Sequence, residues 1–85
     1  MTTTALSAAD IAARMSDIFR DVLDQANLVL SRETTAADVE DWDSLAQISL
    51  LVAIEKDFGV HFTLAETKQL ANVGDMLDLV AAKLG

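Results

Sequence analysis

The serine at position 44, in the tripeptide Asp43-Ser44-Leu45, is the residue whose side chain could most simply take part in covalent chemistry. Its hydroxyl can accept a covalently attached group. Residues 38–43, just before it, carry four carboxylates in six residues and are expected to be solvated. Residues 45–58 are mostly apolar and contain neither Gly nor Pro, which predicts a helix. Ser44 is therefore predicted at a helix N-terminus on the surface, where a bulky group would not disturb a core.

A purely structural role for Ser44 is the first alternative. Serine is a preferred N-cap, and Ser44-x-x-Gln47 fits the capping-box pattern, in which two backbone N–H groups are satisfied reciprocally. In an arbitrary chain this interpretation would be favoured, because such caps are common. The rest of the sequence has to decide between a cap and a site of attachment.

Length, composition and charge exclude several classes of function. Residues 1–85 are expected to form one domain, with residues 1–7 flexible. The chain has no Cys and a single His, so we expect neither a disulfide nor a metal site. The net charge of −8 argues against binding nucleic acid. The N-terminus does not resemble a signal peptide, and no apolar run reaches the ~18 residues of a membrane span. We expect a cytoplasmic monomer without stable membrane insertion.

Capping and apolar periodicity predict an all-α fold, a four-helix bundle with a long loop between the first and second helices and a short third helix. The first helix is expected to be long and to begin after an N-cap at Ser7. A linker of unusual length follows it. Arg14, Arg20 and Lys83 are expected to be solvated helix surface. The predicted bounds are about Ala8 to Leu28, Leu45 to Phe58 ended by Gly59, Thr63 to about Leu70, and a last helix starting at Asn72.

The second helix has two apolar faces at about 100° per residue. One face is expected in the core and comprises Leu50, Leu51, Ile54 and Phe58. The other comprises Leu45, Ile48 and Val52, bordered by Glu55, and predicts a contact site for partner proteins because three apolar residues form one stripe. Alternatively, the short helix that begins at Thr63 covers this stripe, at least in part, with Leu64 and Leu70.

Three further functions compete for the same residues. Ser44, His61 and Asp43 could form a hydrolase triad, but no nucleophile-elbow glycines surround the serine. The acidic loop offers oxygen ligands for calcium without the spacing of a calcium-binding loop. A non-covalent interaction module would use the stripe Leu45, Ile48 and Val52 and leave Ser44 as a cap. Trp42 is expected to anchor the loop and His61 to face solvent.

The residues resemble the acyl carrier protein family over roughly residues 11–84. The similarity comprises Asp43-Ser44-Leu45 after a long acidic loop, the run from Leu50 to Phe58, and a short helix followed by a terminal one. It also includes the exit from the second helix, Phe58-Gly59-Val60-His61-Phe62. Together with the acidity and the length, these features favour attachment at Ser44 over a simple cap.

The resemblance implies a carrier and not an enzyme. A phosphopantetheinyl transferase would attach 4′-phosphopantetheine from coenzyme A to Ser44, with Asp43 and Leu45 beside it in the motif. Acyl-loading and acyl-transferring enzymes would dock on Leu45, Ile48, Val52 and Glu55. An acyl chain could shelter among core residues: Leu50, Ile54, Phe62 and Leu70.

The chain also departs from this family. Carriers of fatty-acid synthesis typically present several acids at the start of the second helix, where this chain has Ala46, Gln47 and Ser49. We therefore expect a specialised pathway, whether polyketide-like, lipid-modifying or aminoacyl-transferring.

Overall fold

The computed structural model describes residues 7–84, and these residues form four helices and no strand. The predicted all-α fold, with a long first loop and a short third helix, is confirmed. Residues 1–6, whose flexibility was predicted, lie outside the described part, whereas Ser7 caps the first helix. The helices are α1 (Ala8–Val22), α2 (Ser44–Phe58), α3 (Leu64–Lys68) and α4 (Val73–Leu84), with a 3-10 turn at Ala36–Asp38.

Helix α1 begins at a complete capping box. The Ser7 hydroxyl accepts a hydrogen bond from the Asp10 backbone N–H at 3.1 Å, and the Asp10 carboxylate accepts one from the Ser7 N–H at 3.2 Å. Ile11, Met15 and Phe19 follow at intervals of four residues and are buried. This spacing places them on one face of the helix, and α1 packs through it against α2 and α4.

The prediction that α1 continues to Leu28 is wrong, because the helix ends at Val22. Asp24 takes a left-handed conformation with φ of 54°, and the Gln25 N–H donates back to the Arg20 carbonyl at 2.9 Å. This is the Schellman pattern of a helix C-terminus, with Asp in the position that Gly usually takes. The Arg20 Nε also donates to the Leu28 carbonyl at 2.8 Å, which holds the loop against the helix end.

The core is formed by one face of α2 together with α1 and α4. Leu50 and Ile54 of α2 and Val80 of α4 are fully buried, and Phe58 is nearly so. The expected core face of α2 is therefore confirmed, with Leu51 half-buried at its edge. Gly59 ends α2 in the left-handed region with φ of 68°, as the sequence predicts.

Short polar side chains also begin the last two helices. Thr63 and Glu66 form the predicted capping box of α3, which ends at Lys68, two residues before the expected end. The Asn72 side-chain oxygen accepts a hydrogen bond from the Asp75 N–H at 2.9 Å at the start of α4. The placement of both helices follows from these caps.

The loop of residues 23–43 is fastened to the first turn of α4. The Arg32 carbonyl accepts a hydrogen bond from the Gly74 N–H at 2.8 Å, and the Thr34 carbonyl accepts one from the Val73 N–H at 2.9 Å. These donors have no partner within their own helix. A Cβ on Gly74 would lie 3.0 Å from the Arg32 carbonyl oxygen, so glycine permits the close approach. The Arg32 guanidinium then reaches Asp78 at 2.7 Å.

Three cations expected to be free surface instead connect elements of the fold. Arg14 lies 3.0 Å from the Asp57 carboxylate, and its guanidinium stands 5.1 Å above the centre of the Phe58 ring. Lys83 of α4 pairs with Glu66 of α3 at 2.8 Å. Arg20 tethers the loop as described above. Helical spacing places these side chains outside the core but cannot show which neighbour each one meets.

No helix in the described part of the chain has the length and apolar character needed to cross a membrane.

Two isoleucines of α2 provide a test of its two faces. Ile54 is fully buried, so Ile54→Ala should lower the free energy of unfolding by ~2–5 kcal/mol. Ile48 is 60% exposed, so Ile48→Ala should stay within ~0.5 kcal/mol of wild type. Chemical denaturation measures both. Equal and large losses would mean that the outer face is also core.

The contact between the loop and α4 should respond to acid. The hydrogen bond and charge of Arg32 lower the pKa of Asp78, so the contact stabilises the fold above the ordinary carboxyl pKa. That stabilisation is lost as the pH falls through the lowered pKa. The stability difference between wild type and Asp78→Asn should therefore be largest at neutral pH and should shrink as the solution is made acidic enough to protonate Asp78 in the folded state.

Denaturation midpoints across this pH range measure the effect, and Arg32→Met is the matched variant because it removes the other half of the contact. A difference between wild type and Asp78→Asn that stayed constant with pH would contradict the assignment.

Candidate functional site

The turn before α2 is fixed by a buried tryptophan. The Trp42 ring packs edge-on against Phe19 of α1, with ring centres 4.9 Å apart and planes at 86°. Its indole Nε1–H donates to the Gln47 side-chain oxygen at 2.6 Å. Val39 is buried beside it in the core cluster. The predicted role of Trp42 as the anchor of the loop is confirmed, and this anchor sets where α2 begins.

Asp43, and not Ser44, is the N-cap of α2. The Asp43 carboxylate accepts a hydrogen bond from the Ala46 backbone N–H at 2.9 Å. The predicted capping box of Ser44 and Gln47 is wrong, because Gln47 is engaged by the indole and Ser44 is already the first helical residue. Serine and aspartate are both good caps, so a shift of one residue is not visible in the sequence.

The hydroxyl of Ser44 is consequently free. The residue is exposed, and no hydrogen bond joins its side chain to another of residues 7–84. It lies in the first turn of α2, where backbone N–H groups lack partners and the helix dipole is positive. The first turn carries no acidic residue of its own. An anion attached here would meet a favourable local field from the helix, opposed by the carboxylates of the loop.

An open depression of about 730 Å³ begins at Ser44 and extends between α2, α3 and the start of α4. Its wall is largely apolar and also contains several polar side chains. The apolar part includes Trp42, Ile48, Leu64, Leu70 and Met76, and the polar part includes Asp43, Gln47, Thr67, Lys68 and Asn72.

The predicted contact stripe is exposed. Leu45, Ile48 and Val52 are 76%, 60% and 44% exposed. The alternative in which α3 buries the whole stripe is wrong, because Leu64 is itself 72% exposed and lines the same depression as Ile48. Helix α3 therefore extends the apolar surface and does not close it.

Glu55, predicted at the border of this stripe, is engaged within the fold. Its carboxylate accepts a hydrogen bond from the Phe62 backbone N–H at 2.7 Å and lies 3.2 Å from the Nδ1 of His61. Glu55 therefore holds the connection between α2 and α3. His61 is otherwise exposed, as predicted.

The four residues predicted to line an acyl pocket do not lie together at the surface. Leu50 and Ile54 are fully buried and Phe62 is nearly so, whereas Leu70 is half-buried and borders the depression. Leu50, Ile54 and Phe62 all belong to the buried hydrophobic core. Apolar periodicity identifies the inner face of α2 but does not show whether space adjoins it.

The hydrolase and metal alternatives find no support in this geometry. His61 contacts Glu55, eleven residues along α2 from Ser44, which corresponds to about 16 Å of helix. Within residues 7–84 no group of three or more potential metal ligands comes together.

Comparisons with known proteins agree with the geometry. A family model described as the phosphopantetheine attachment site matches residues 13–80. An acyl carrier protein from Acidothermus cellulolyticus is 34% identical over 77 residues, which cover 91% of this chain and 92% of that protein. The chain belongs to the acyl carrier protein family.

A solved structure extends the similarity to the fold. The solution NMR structure of holo acyl carrier protein from Geobacter metallireducens superposes with a TM-score of 0.83 at 43% identity, covering 87% of this chain and 85% of that one. As an acyl carrier protein, this chain carries a covalently attached phosphopantetheine and is not itself an enzyme. Its partners are a phosphopantetheinyl transferase and enzymes that handle acyl groups.

The residues around Ser44 fit such a group. An acyl carrier protein needs a hydroxyl that is accessible and not used by the fold, and the Ser44 side chain meets both conditions. The depression beside it offers room for a flexible arm.

Several residues of this carrier's site were not identified from the sequence. Thr67, Lys68 and Asn72 line the depression although no role was predicted for them there. The capping box of α3, which is visible in the sequence, could have indicated part of this lining. It fixes the start of the helix, and residues 64 and 68 then share one face because they are four positions apart.

The corrected cap leads to a prediction about stability. Asp43→Ala should lower the free energy of unfolding by ~0.5–2 kcal/mol, because the Ala46 N–H loses its acceptor. Ser44→Ala should change it by less than ~0.5 kcal/mol, because the hydroxyl holds nothing in place. Thermal or chemical denaturation of the two variants in the apo form measures this. A larger loss for Ser44→Ala than for Asp43→Ala would return the capping role to the serine.

Proposed function

We propose that the Ser44 hydroxyl carries the 4′-phosphopantetheine arm of this acyl carrier protein. The observation that supports this most strongly is that Ser44 is exposed, follows the cap of α2 directly and makes no side-chain hydrogen bond within residues 7–84. Asp43 supplies the cap, so the fold does not need the hydroxyl. Asp43 and Leu45 flank the hydroxyl and would meet the transferase first.

The chain provides and positions the Ser44 hydroxyl that accepts the arm, but it does not activate this hydroxyl for the reaction. The Ser44 hydroxyl makes no hydrogen bond with another of residues 7–84, so no side chain among them is positioned to take its proton. The transferase with Mg²⁺ therefore has to activate the hydroxyl. The arm, when bound, supplies a thiol that holds acyl groups as thioesters.

The surface of Leu45, Ile48 and Val52 is proposed as the docking face for acyl-loading and acyl-transferring enzymes. It is exposed, apolar and continuous with the attachment point. The edge at Glu55 would take part only in so far as its carboxylate can be shared with the Phe62 N–H. Tethering provides a high local concentration of the acyl group, so docking need not be tight.

A specialised pathway is proposed from the composition of this face. Ala46, Gln47 and Ser49 put no charge at the start of α2, so shape and apolar contact would dominate partner recognition. We expect this carrier to act as a monomer in the cytoplasm.

A short acyl group is proposed to rest in the depression beside Ile48, Leu64 and Leu70. A longer chain would have to enter behind α2 and contact Leu50, Ile54 and Phe62. Because these side chains are packed without exposure, α2 and α3 would have to separate to admit it.

The attachment is tested by mass spectrometry. Incubation with coenzyme A, Mg²⁺ and a broad-range transferase should add one phosphopantetheine per chain, and fragmentation should place it on Ser44. Ser44→Ala should accept none. Ser49→Ala is the matched control on the same helix and should be modified like wild type. Modification of Ser44→Ala would refute the assignment.

The docking face is tested by kinetics. Ile48→Asn should slow acyl transfer from the native loading enzyme by about 5- to 30-fold, which corresponds to losing ~1–2 kcal/mol, with little loss of stability. The double variant Ala46→Asp with Ser49→Glu should instead improve use by a fatty-acid synthase enzyme. If the wild-type protein already served the fatty-acid synthase enzyme as well as that enzyme's normal carrier protein does, the specialised pathway would be refuted.

A further inference from the structure

Some cationic side chains of the described residues form ion pairs with carboxylates, and others do not. Among residues 7–84, each of the three arginines lies within ion-pair distance of a carboxylate, and so does Lys83. Lys56 and Lys68 lie in no ion pair with another of these residues. Of these two, only Lys68 borders the depression that begins at Ser44. It is the one cationic side chain in the lining of that depression.

Two carboxylates that could compete for Lys68, one on the same helix and one in the lining of the depression, already have partners. Glu66, on the same helix, accepts hydrogen bonds from the Thr63 N–H and from Lys83 of α4. Asp43 is the single carboxylate in the lining, and it caps α2 through the Ala46 N–H. Lys68 is exposed in the last turn of α3. Its ammonium is therefore available to an anion that enters the depression.

Attachment at Ser44 would place such an anion there. A phosphodiester keeps one negative charge at neutral pH, and the loop before Ser44 already holds Asp38, Glu40 and Asp41. The N–H groups of the first turn of α2 offset part of this repulsion. A cation on α3 in the lining of the same depression would offset more of it and would also give the arm a preferred direction.

We propose that Lys68 forms an ion pair with the phosphodiester on Ser44 and positions the first part of the arm across the depression toward α3. This inference rests on the proposed attachment at Ser44. Lys68 is a positioning residue, since it touches the arm far from the thiol. The arm would then pass over the apolar patch of Ile48 and Leu64, which borders the same depression.

The test is a thermodynamic cycle on the whole protein in its apo and holo forms. Unfolding equilibrium constants are measured for wild type and Lys68→Gln in both forms. The holo-to-apo ratio of these constants should be about two- to five-fold higher in Lys68→Gln than in wild type, as expected for an exposed ion pair. A role of Lys68 in the fold alone would change both forms equally and leave the ratio unaltered.

Two variants and one condition make the result specific. Lys56→Gln removes the other lysine that lies in no ion pair and should keep the wild-type ratio, and Lys68→Arg should also keep it. Raising the salt concentration from ~0.02 M to ~0.5 M should bring the ratios of wild type and Lys68→Gln together, because the screening length falls to a few ångströms.

The outcomes separate the two proposals. If intact mass shows the holo form with the arm on Ser44 and the ratios of wild type and Lys68→Gln agree at low salt, the ion pair is refuted while the attachment stands. If Ser44 takes no arm, both are refuted. If the Lys68→Gln variant resists modification, the salt dependence of the wild-type ratio decides, and a ratio that does not change with salt overturns the ion pair.

Discussion

The contact of Trp42 with Phe19 fixes the place where the loop becomes a helix. The indole is buried against α1, and its N–H is satisfied by Gln47, one turn into α2. A buried N–H without a partner would be costly, so this hydrogen bond ties the orientation of the indole to the first turn of the helix. With that turn fixed, Asp43 falls at the cap, and the next residue projects its side chain into solvent.

This arrangement separates the demands of folding from those of function. The cap is supplied by a carboxylate and the anchor by an indole and an amide, which leaves the hydroxyl of Ser44 without a structural task. Helix α2 has a similar division between its two faces. Leu50 and Ile54 are fully buried in the core, whereas Leu45 and Ile48 are mostly exposed and form the surface proposed for docking. The short α3 leaves this surface open, since Leu64 points outward beside it.

The sequence is sufficient for the parts of the fold that depend on local rules. The caps at Ser7, Thr63 and Asn72, the glycine end of α2 and the buried periodicity of Leu50 and Ile54 all follow from spacing.

What the sequence could not provide depends on long-range or competing contacts. Asp43 and Ser44 are both competent caps, and the choice between them follows from the buried indole that engages Gln47. The end of α1 depends on Asp24 adopting a left-handed conformation, which is hard to predict because it is uncommon for residues other than glycine. The partners of Arg14, Arg20 and Lys83 and the wall of the depression arise where separate helices meet. For the same reason the sequence does not show that Lys68 and Ser44 line the same depression.

We expect the arm to join the protein at an exposed first turn of α2 without disturbing the core. This expectation is tested most directly by comparing NMR chemical shifts of the apo and holo forms. Backbone amide chemical shifts should change only at the start of α2 and in the neighbouring part of α3, around Ser44, Gln47 and Lys68. The methyl signals of Leu50 and Ile54 should stay unchanged. Large shifts of those core methyls, or a focus of change away from Ser44, would contradict it.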